Sequence, residues 1–358
     1  MNRSVLVVGF STRHVAKSAF QAGFEVYAID HFCDQDLAWY TRDRIRFEEL
    51  GELPVAVEEM CLRHRIDLII VTSGAESLKS GIPICGTSPE QAKKYLDKLE
   101  IQKFFEGLEI PTPQILPDDV YPAMVKPRTG AGGWRNQVVH NREEKELWEE
   151  RFDNPPYISQ ALVKGLPSSV CCLADGARAR AIAVNEQFLR GNGETAFGFS
   201  GSVTPSDSPA NAAMIRYAET IAAASGCKGT VGVDFMADSN EVWAIEINPR
   251  FQATLDTVEM STGRNLFSCH LDACHGKLPP HIPPPLHYAA RRILFAERDM
   301  TVRADLCALH PLVADIPWPN TEMEEGQAVI SVYGWGASKD AALAMLDKHN
   351  RLVRQYMG

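Results

Sequence analysis

The sequence has no long hydrophobic run and no dense cluster of basic residues. Its apolar stretches fall well short of the about 20 residues that a membrane-spanning helix needs. No run of Lys or Arg exceeds two, and 46 acidic against 36 basic residues give a net charge of −10. A surface that binds nucleic acid or an anionic membrane needs the opposite balance. We therefore expect neither a nucleic-acid nor a membrane partner.

The sequence also lacks a regular cysteine framework. Its nine cysteines are odd in number and scattered, and the N-terminal apolar run is too short for a signal peptide. One Cys/His cluster, "SCHLDACHG", could be imagined as a metal site, but ligands at i and i+5 are poorly placed on a helix face. We expect an amphipathic helix ending at Gly276 there, and a cytoplasmic protein with free thiols.

The remaining composition is that of an ordinary globular protein, with 45% hydrophobic and 23% charged residues. A length of 358 residues suits two or three lobes. Residues 4–30 show an apolar run, a Gly turn, a helical pattern and a second run, which predicts a β-α-β unit of an open parallel sheet. We predict a Rossmann-like α/β domain over 1–90, an α+β domain over 91–276 and a small β-rich segment over 277–358.

Three finer expectations concern single elements of these domains. "IPICG" is interpreted as a further strand of the first sheet, and "SPEQAKKYLDKLEIQKFFEGLE" as one helix with Ser88 as its N-cap. Residues 188–205 contain four glycines in an unpatterned stretch that suits a lid or substrate-binding loop. Arg190, within it, could meet a substrate carboxylate, although a solvated Arg is the commoner case.

The segment "EVWAIEINPRF" places polar side chains at the end of an apolar run. "GTVGVDFMA" and "EVWAIEIN" flank the turn signal "DSN", which predicts a β-hairpin. If the turn centres near Asn240, paired positions sum to 480, so Asp234 faces Glu246, and Asn248 shares the face of Glu246. Carboxylates opposed across a strand pair repel each other, and oxygen ligands of this kind suit Mg²⁺. The alternative is a different register with one acid facing solvent.

A glycine-rich segment, "MVKPRTGAGGWRNQ", offers a partner for the phosphates of a nucleotide. Lys126 ends a predicted strand, and the glycines that follow leave backbone N–H groups free to approach oxyanions. The spacing is not that of a P-loop, because the Lys precedes the glycines. An ordinary glycine-rich turn is the alternative interpretation.

Taken together, five segments in order resemble the ATP-grasp superfamily, whose members bind ATP between two α+β subdomains. The segments are "LDKLEIQKFFEGLEIPTP", "MVKPRTGAGG", "YISQALVKG", "GVDF" and "IEINPRF". The resemblance extends over roughly residues 1 to 275. "VTSGAES" and "VADIPWPNTEMEEGQAVISVYGWG" are similar to a branch of predicted ATP-dependent carboligases related to biotin carboxylase.

The resemblance implies a role for each matching residue. Phosphate contacts would come from Lys98, Lys126 and the glycine loop of Gly130, Gly132 and Gly133. Adenine contacts would come from Gln160 and from Ala161, Leu162 and Val163. Mg²⁺, with Mn²⁺ as a substitute, would be held by Asp234, Glu246 and Asn248, and Arg250 would face the reacting acyl group. The family usually has Glu at the position of Gln160, and the acid that often binds ribose falls near Pro167 here.

The implied function is an ATP-dependent carbon–nitrogen ligase. It would activate a carboxylate as an acyl phosphate, join it to an amine such as an amino acid or another small acceptor, and release ADP and phosphate. Glu76, after a strand of the first sheet, could receive the amine, or it could equally be an N-cap or a surface acid. A carboxylase that activates bicarbonate is the alternative within this family, and a homodimer is a further possibility of the resemblance.

Two interpretations from other classes compete with the ligase. A nicotinamide-dependent oxidoreductase is suggested by the first β-α-β unit and by Asp30, but "GFSTRH" supplies only Gly9 of the G-x-G-x-x-G fingerprint. A binding module without catalysis is the other, and retention of all three candidate metal ligands together with Arg250 argues against it.

Overall fold

The N-terminal residues form a parallel four-stranded sheet. The computed structural model describes residues 3–130, 132–133, 135–191, 197–239 and 241–357. The sheet has the order β3-β2-β1-β4 and every pairing is parallel. Its strands are β1 (Ser4–Gly9), β2 (Glu25–Asp30), β3 (Asp43–Arg46) and β4 (Leu68–Val71). Its helices are α1 (Arg13–Gln21), α2 (Leu37–Tyr40) and α3 (Leu53–Arg63). The predicted Rossmann-like unit is confirmed, whereas the predicted strand "IPICG" is wrong, because only Ile84 bridges to Ile69.

The connection to the next sheet contains two helices where the sequence predicts one. They are α4 (Pro89–Ala92) and α5 (Lys98–Gly107), with a short 3-10 turn over Lys93–Tyr95 between them. The Ser88 side chain caps α4 as predicted. The Asp97 side chain accepts the Leu99 N–H and starts a second helix, since an Asx N-cap favours a new helical start over continuation.

A small antiparallel sheet follows, with the order β6-β5-β7. Its strands are β5 (Ala123–Pro127), β6 (Gln137–Val139) and β7 (Tyr157–Gln160), and α6 (Arg142–Arg151) packs on it. The fully buried Trp148 of α6 lies against Val125 and Val139 in its core. The glycine loop connects β5 to β6, so the sheet carries that loop at one edge.

An eight-stranded sheet, counted within the described residues, forms the centre of the molecule with the order β12-β11-β8-β9-β10-β13-β17-β15. Its strands are β8 (Leu166–Asp175), β9 (Ala179–Leu189), β10 (Phe199–Thr204), β11 (Lys228–Ala237), β12 (Val242–Asn248), β13 (Tyr288–Phe295), β15 (Val313–Ala314) and β17 (Ala328–Gly336). A separate ribbon pairs β14 (Met300–Val302) with β16 (Thr321–Met323). The C-terminal strands therefore extend the same sheet that carries the hairpin.

Helices cover both faces of the central sheet. They are α7 (Asn211–Ala224), α8 (Leu255–Thr262), α9 (Leu266–Cys274) and α10 (Lys339–Met357). Val170 and Cys172 of β8 pack in one core with α7, while Cys171 and Leu173 pack in the core shared with α9 and the first sheet. Among the described helices, none combines the length and the apolar character needed to cross a membrane.

Candidate active site

The predicted hairpin is formed by β11 and β12, and Asp234 pairs with Glu246 as the sequence predicts. The register is not uniform, however. Pairs on the site side sum to 480, whereas Phe235 pairs with Ala244, a sum of 479. Ile245 is therefore the extra residue of a β-bulge. Asn240, the predicted centre of the turn, lies outside the described residues.

The bulge decides which face of β12 carries the polar residues. Ala244 and Ile247 are both buried in the core against α7, although regular alternation would put residues three apart on opposite faces. The extra residue restores the alternation so that Glu246 and Asn248 face away from this core. On β11, Val233 and Phe235 point into the same core. Asp234 therefore shares its face of the hairpin with Glu246 and Asn248.

Three amide groups surround Asp234. Its carboxylate accepts hydrogen bonds from Asn248 Nδ2 at 2.8 Å and Gln187 Nε2 at 3.0 Å, with Gln252 Nε2 at 3.4 Å. Burial and then the facing Glu246 raise the pKa of Asp234 to about 7, against the opposing effect of these hydrogen bonds. Two opposed carboxylates and an amide oxygen form an all-oxygen donor set, which fits Mg²⁺ or Mn²⁺.

Arg250 lies beside this carboxylate pair and contacts the N-terminal lobe. Its Nε donates to Glu76 Oε1 at 2.7 Å, and both side chains are poorly exposed, at 13% and 11%. Nη2 donates to Asn248 Oδ1 at 3.0 Å, and Nη1 to Phe251 O at 3.0 Å. Glu76 also accepts the Gly74 N–H. The first lobe therefore supplies an acid to the site, and that acid is engaged by Arg250.

Two lysines approach the site from the small sheet and from α5. Lys126, at the end of β5, is only 8% exposed. Burial lowers the pKa of its ammonium to about 8; Glu246 opposes this shift and Lys98 adds to it. Lys98 is the first residue of α5, and its Nζ donates to Gly130 O at 2.8 Å.

The glycine loop adopts a conformation that requires glycine. Gly130, Gly132 and Gly133 have φ values of 110°, 83° and 68°, a region that side chains rarely adopt. A Cβ on Gly133 would lie 2.6 Å from Phe197 O. The loop therefore packs closely against the segment that leads into β10.

A cavity of about 660 Å³ lies between the small sheet and the hairpin. All the predicted site residues except Lys98 and Gly130 line it, so segments far apart in the chain meet around one space. Gln160, Ala161, Leu162 and Val163 line one wall of it, where Ala161 N–H donates to Gln114 O. Sequence reasoning missed Gln187 and Gln252, because their approach to Asp234 depends on strand order in the central sheet.

The predicted loop over 188–205 is wrong in part. β9 continues to Leu189 and Phe199–Thr204 form β10, which pairs with β9 and β13. Residues 192–196 lie outside the described residues. Arg190 lines the cavity, and its guanidinium donates to Gly326 O at 2.7 Å and lies over the Phe295 ring.

The Cys/His segment forms the predicted helix, α9. Its His270 and Cys274 come close to Cys85, with the three ligand atoms within 4.8 Å of one another. His270 Nδ1 accepts the Thr230 N–H at 2.9 Å, which leaves Nε2 protonated and facing Cys85 O at 3.1 Å. A neutral imidazole has one lone pair, and here Thr230 occupies it. The arrangement therefore does not offer His270 as a metal ligand.

Asp30, which prompted the oxidoreductase interpretation, is fully engaged by its own lobe. Its carboxylate accepts from Thr12 N, Thr12 Oγ1, Phe32 N and Cys33 N, at 2.6 to 2.8 Å. It therefore closes the turn after β1 and is not available to a ribose.

The fold and the site define a class of proteins that hold a nucleotide between two sheets beside an acidic hairpin. Residues 95–254 match the family model of the ATP-grasp domain. The chain is 26% identical to an uncharacterised protein of Methanocaldococcus jannaschii, over 92% of this chain and 88% of that one. It is also 26% identical to the C-terminal section of the carbamoyl phosphate synthase large chain of Methanopyrus kandleri, over 79% of this chain but 60% of that relative.

Solved structures share the fold at low sequence identity. The L-amino acid ligase of Bacillus licheniformis superposes with a TM-score of 0.72 at 15% identity, covering 98% of this chain and 97% of that one. The biotin carboxylase domain dimer of Hydrogenobacter thermophilus 2-oxoglutarate carboxylase, in complex with MgADP and bicarbonate, gives 0.76 at 15% identity, covering 98% and 90%.

The chain therefore has the ATP-grasp fold, and the predicted fold class is confirmed. The family that this region matches consists of ADP-forming carboxylate–amine ligases and carboxylases that use ATP and Mg²⁺, and the predicted class of enzyme agrees with that family. The roles of individual residues and the domain boundaries stay predictions.

Proposed function

We propose that the chain joins a small-molecule carboxylate, activated as an acyl phosphate, to an amine, with release of ADP and phosphate. The observation that carries the proposal is the pairing of Asp234 with Glu246 in the cavity that Lys126 and Arg250 also line. Phosphoryl transfer needs mainly positioning and neutralisation of charge. Carboxylates that would bind a cation and basic side chains that would bind phosphate and carboxylate groups therefore line the same cavity.

Asp234, Glu246 and Asn248 would hold Mg²⁺, which neutralises the phosphates of bound ATP. In the structure, Asn248 Oδ1 accepts from Arg250 and Asn248 Nδ2 donates to Asp234. An amide oxygen has two lone pairs, so Asn248 Oδ1 could bind the cation and still accept from Arg250. Asn248 would then connect the cation site to the guanidinium that would face the substrate carboxylate.

The two lysines and the glycine loop would bind the phosphates. Lys126 is held in the cavity wall with little exposure, so its charge acts where little water screens it. Lys98 contacts the loop at Gly130 O. The backbone N–H groups of loop glycines with positive φ suit the binding of oxyanions. Gln160 and the Ala161–Val163 backbone would contact adenine at the wall that they line.

Glu76 would orient the incoming amine or release Arg250 to the acyl phosphate. Its ion pair with Arg250 joins the first lobe to the hairpin, so a substrate that enters must compete for one of these two groups. The proposal therefore puts the carboxylate and the amine on the side of the cavity next to the N-terminal lobe.

The decisive experiment replaces Glu246 by Gln. We expect Glu246→Gln to fold normally and to lose ATP-dependent ADP release, because one carboxylate of the cation site is removed. Glu241→Gln is the matched control, since Glu241 lies in the same hairpin but is exposed. Wild-type turnover in Glu246→Gln would exclude the proposed metal site.

A carboxylase that activates bicarbonate is the second candidate. It is favoured by the fold shared with the biotin carboxylase domain whose structure contains bicarbonate, and the same cation and phosphate groups would serve it. A screen for phosphate release with amino acids in one arm and bicarbonate in the other separates the two. Release that needs bicarbonate alone would replace the ligase proposal.

Two broader proposals accompany the function. We propose a cytoplasmic location, supported by nine free cysteines, and a homodimer, which is supported only by the dimer named for the 2-oxoglutarate carboxylase domain.

A thermal-shift measurement with ATP and Mg²⁺, compared with the same measurement with NAD, tests which class of nucleotide the protein binds. Stabilisation by NAD alone would favour the oxidoreductase, and ATP binding without any turnover would favour the binding module.

A further inference from the structure

One wall of the cavity contains an amide side chain, and the sequence alone does not tell whether its oxygen or its NH₂ group faces the cavity. Gln160 lines the cavity and is 4% exposed. A carboxylate at this position could only accept hydrogen bonds, whereas an amide presents either an oxygen or an NH₂ group. Which of the two faces the ligand decides which base the site takes, so the orientation of this amide must be fixed by something else.

Gln102 of α5 fixes it through a chain of hydrogen bonds. Gln102 Nε2 lies 3.0 Å from Pro113 O and 2.8 Å from Glu106 Oε1. A backbone carbonyl and a carboxylate only accept, so this end of Gln102 must be its NH₂ group. The opposite end is then the oxygen, which also accepts from Thr112 Oγ1 at 3.2 Å.

The orientation of Gln102 determines that of Gln160. The atom of Gln160 that lies 2.8 Å from Gln102 Oε1 must be a donor, and it is therefore Nε2. Gln160 Oε1 is left over. It is buried and has no hydrogen-bond partner among the residues that the structure describes, a state that calls for a missing donor.

We propose that Gln102 is a positioning residue that holds Gln160 as a hydrogen-bond acceptor, so that the cavity selects purine nucleotides with a 6-amino group over those with a 6-oxo group. The inference rests on the proposed nucleotide site. A 6-amino group donates to Gln160 Oε1, whereas a 6-oxo group places a second acceptor against it. Gln160 cannot turn over to accommodate the 6-oxo group, because its NH₂ would leave Gln102 and its oxygen would face Gln102 Oε1.

The test measures the dissociation constants of ATP and inosine triphosphate for the full-length protein. We expect the wild type to prefer ATP. In Gln102→Leu, Gln160 can turn its NH₂ group to the cavity, so ATP binds more weakly, inosine triphosphate binds more tightly and the ratio of the two constants falls about tenfold. Gln91→Leu is the matched control, because the Gln91 amide bonds Ser225 O away from the cavity, and its ratio should stay that of the wild type.

A double-mutant cycle separates positioning from a general structural effect. In a Gln160→Ala background, Gln102→Leu should leave the ratio unchanged, because there is no amide left to turn. A loss of affinity for both nucleotides in equal proportion in Gln102→Leu would overturn the proposal. So would a ratio that still changes in the Gln160→Ala background.

One measurement needs no variant. Purine riboside triphosphate lacks the 6-substituent, and the wild type should bind it more weakly than ATP and more tightly than inosine triphosphate. Equal binding of all three would overturn the selection while leaving the proposed ligase intact. Failure to bind any of the three would overturn the proposed function itself.

Discussion

At the scale of single residues, the candidate site keeps charges where the fold does not favour them. Asp234 faces Glu246 across the hairpin, and Lys126 is buried at the end of β5. Neither arrangement is explained by stability, since opposed carboxylates repel and a buried ammonium loses hydration. Unfavourable charges of this kind are typical of ligand sites, where the bound ligand supplies the opposite charge. Neutral substitutions should therefore stabilise the ligand-free protein.

The first prediction concerns Asp234. Its pKa in the folded chain is about 7 and its ordinary value is 3.8, so the folded state binds the proton more tightly than the unfolded state. Stability of the metal-free wild type should fall as the pH rises from about 4 to about 7. Asp234→Asn removes this loss and should be more stable by up to roughly 4 kcal/mol at pH 8, with a smaller gain at pH 5.

Urea unfolding in the presence of a chelator checks this prediction. The exposed Asp119→Asn is the control and should show no gain that grows with pH. A difference between Asp234→Asn and the wild type that is the same at pH 5 and pH 8 would contradict the assigned pKa.

The second prediction concerns Lys126, whose pKa is lowered from 10.5 to about 8. The folded state loses this proton more readily than the unfolded state, so the cost of burying the charge is fully present below pH 8 and disappears above about 10.5. Lys126→Met should stabilise the ligand-free protein by up to about 3 kcal/mol at pH 7 and should abolish ATP binding.

The measurement pairs urea unfolding at pH 7 and pH 10 with calorimetric titration of ATP and Mg²⁺. Lys348→Met, at an exposed position of α10, should change neither quantity. A Lys126→Met protein that is destabilised at pH 7, or that still binds ATP as the wild type does, would argue against a phosphate role for this lysine.

At the scale of elements, the start of α5 connects helix capping to the phosphate end of the site. Asp97 caps the helix by accepting the Leu99 N–H, and its carboxylate also accepts two hydrogen bonds from Nε and one from Nη2 of Arg128, which follows β5. Lys98, the next residue, bonds Arg128 O with its N–H and Gly130 O with its Nζ. The cap therefore fixes the position of Lys98 relative to the glycine loop.

The third prediction compares two caps. Asp97→Ala and Ser88→Ala each remove an N-cap and should each cost about 1 kcal/mol of stability. Only Asp97→Ala should also weaken ATP binding, by about tenfold or about 1.4 kcal/mol, because α4 carries no residue of the site. Equal ATP affinity in the two variants would mean that Lys98 needs no positioning by Asp97.

Hairpin elements were predictable because the pattern and the turn signal are local. Asp234 and Glu246 could be paired from the sequence, but the bulge at Ile245 could not, since it follows from the demand that Ala244 and Ile247 share one core. Residues 199–204 were predicted as a loop, since their strand is defined by its neighbours β9 and β13. Local signals predict an element, and distant partners decide its register.

At the scale of the whole molecule, the contacts that the sequence did not predict join distant segments. The pair of Glu76 with Arg250 and the approach of Gln187 to Asp234 both depend on how the sheets pack. The C-terminal strands share the central sheet with the hairpin. Three predicted domains are therefore parts of one connected arrangement of sheets, and the interfaces between them contain buried charge.

The largest of these charged interfaces centres on Arg13 of α1. Its guanidinium donates to both oxygens of Asp256 at 3.0 and 2.7 Å and to Asp315 at 2.8 Å. Tyr333 also donates to Asp256. Burial by itself would raise the pKa of Asp256, yet Arg13 holds it well below its usual value. One side chain of the first lobe therefore neutralises an acid of α8 and an acid that directly follows the C-terminal strand β15.

The fourth prediction is that Arg13→Leu costs about 3–5 kcal/mol of unfolding free energy at pH 7, because it leaves buried acids without their partner. The cost should shrink toward acidic pH, where protonation neutralises Asp256 in the variant, and the added substitution Asp256→Asn should recover part of it.

Arg42→Leu is the control, since its side chain is 75% exposed and its ion pair with Glu25 should contribute about 0–1 kcal/mol. Urea unfolding of the four proteins at pH 5 and pH 7 gives these differences, and a similar small loss for Arg13→Leu and Arg42→Leu would show that the lobes are held together by apolar packing alone.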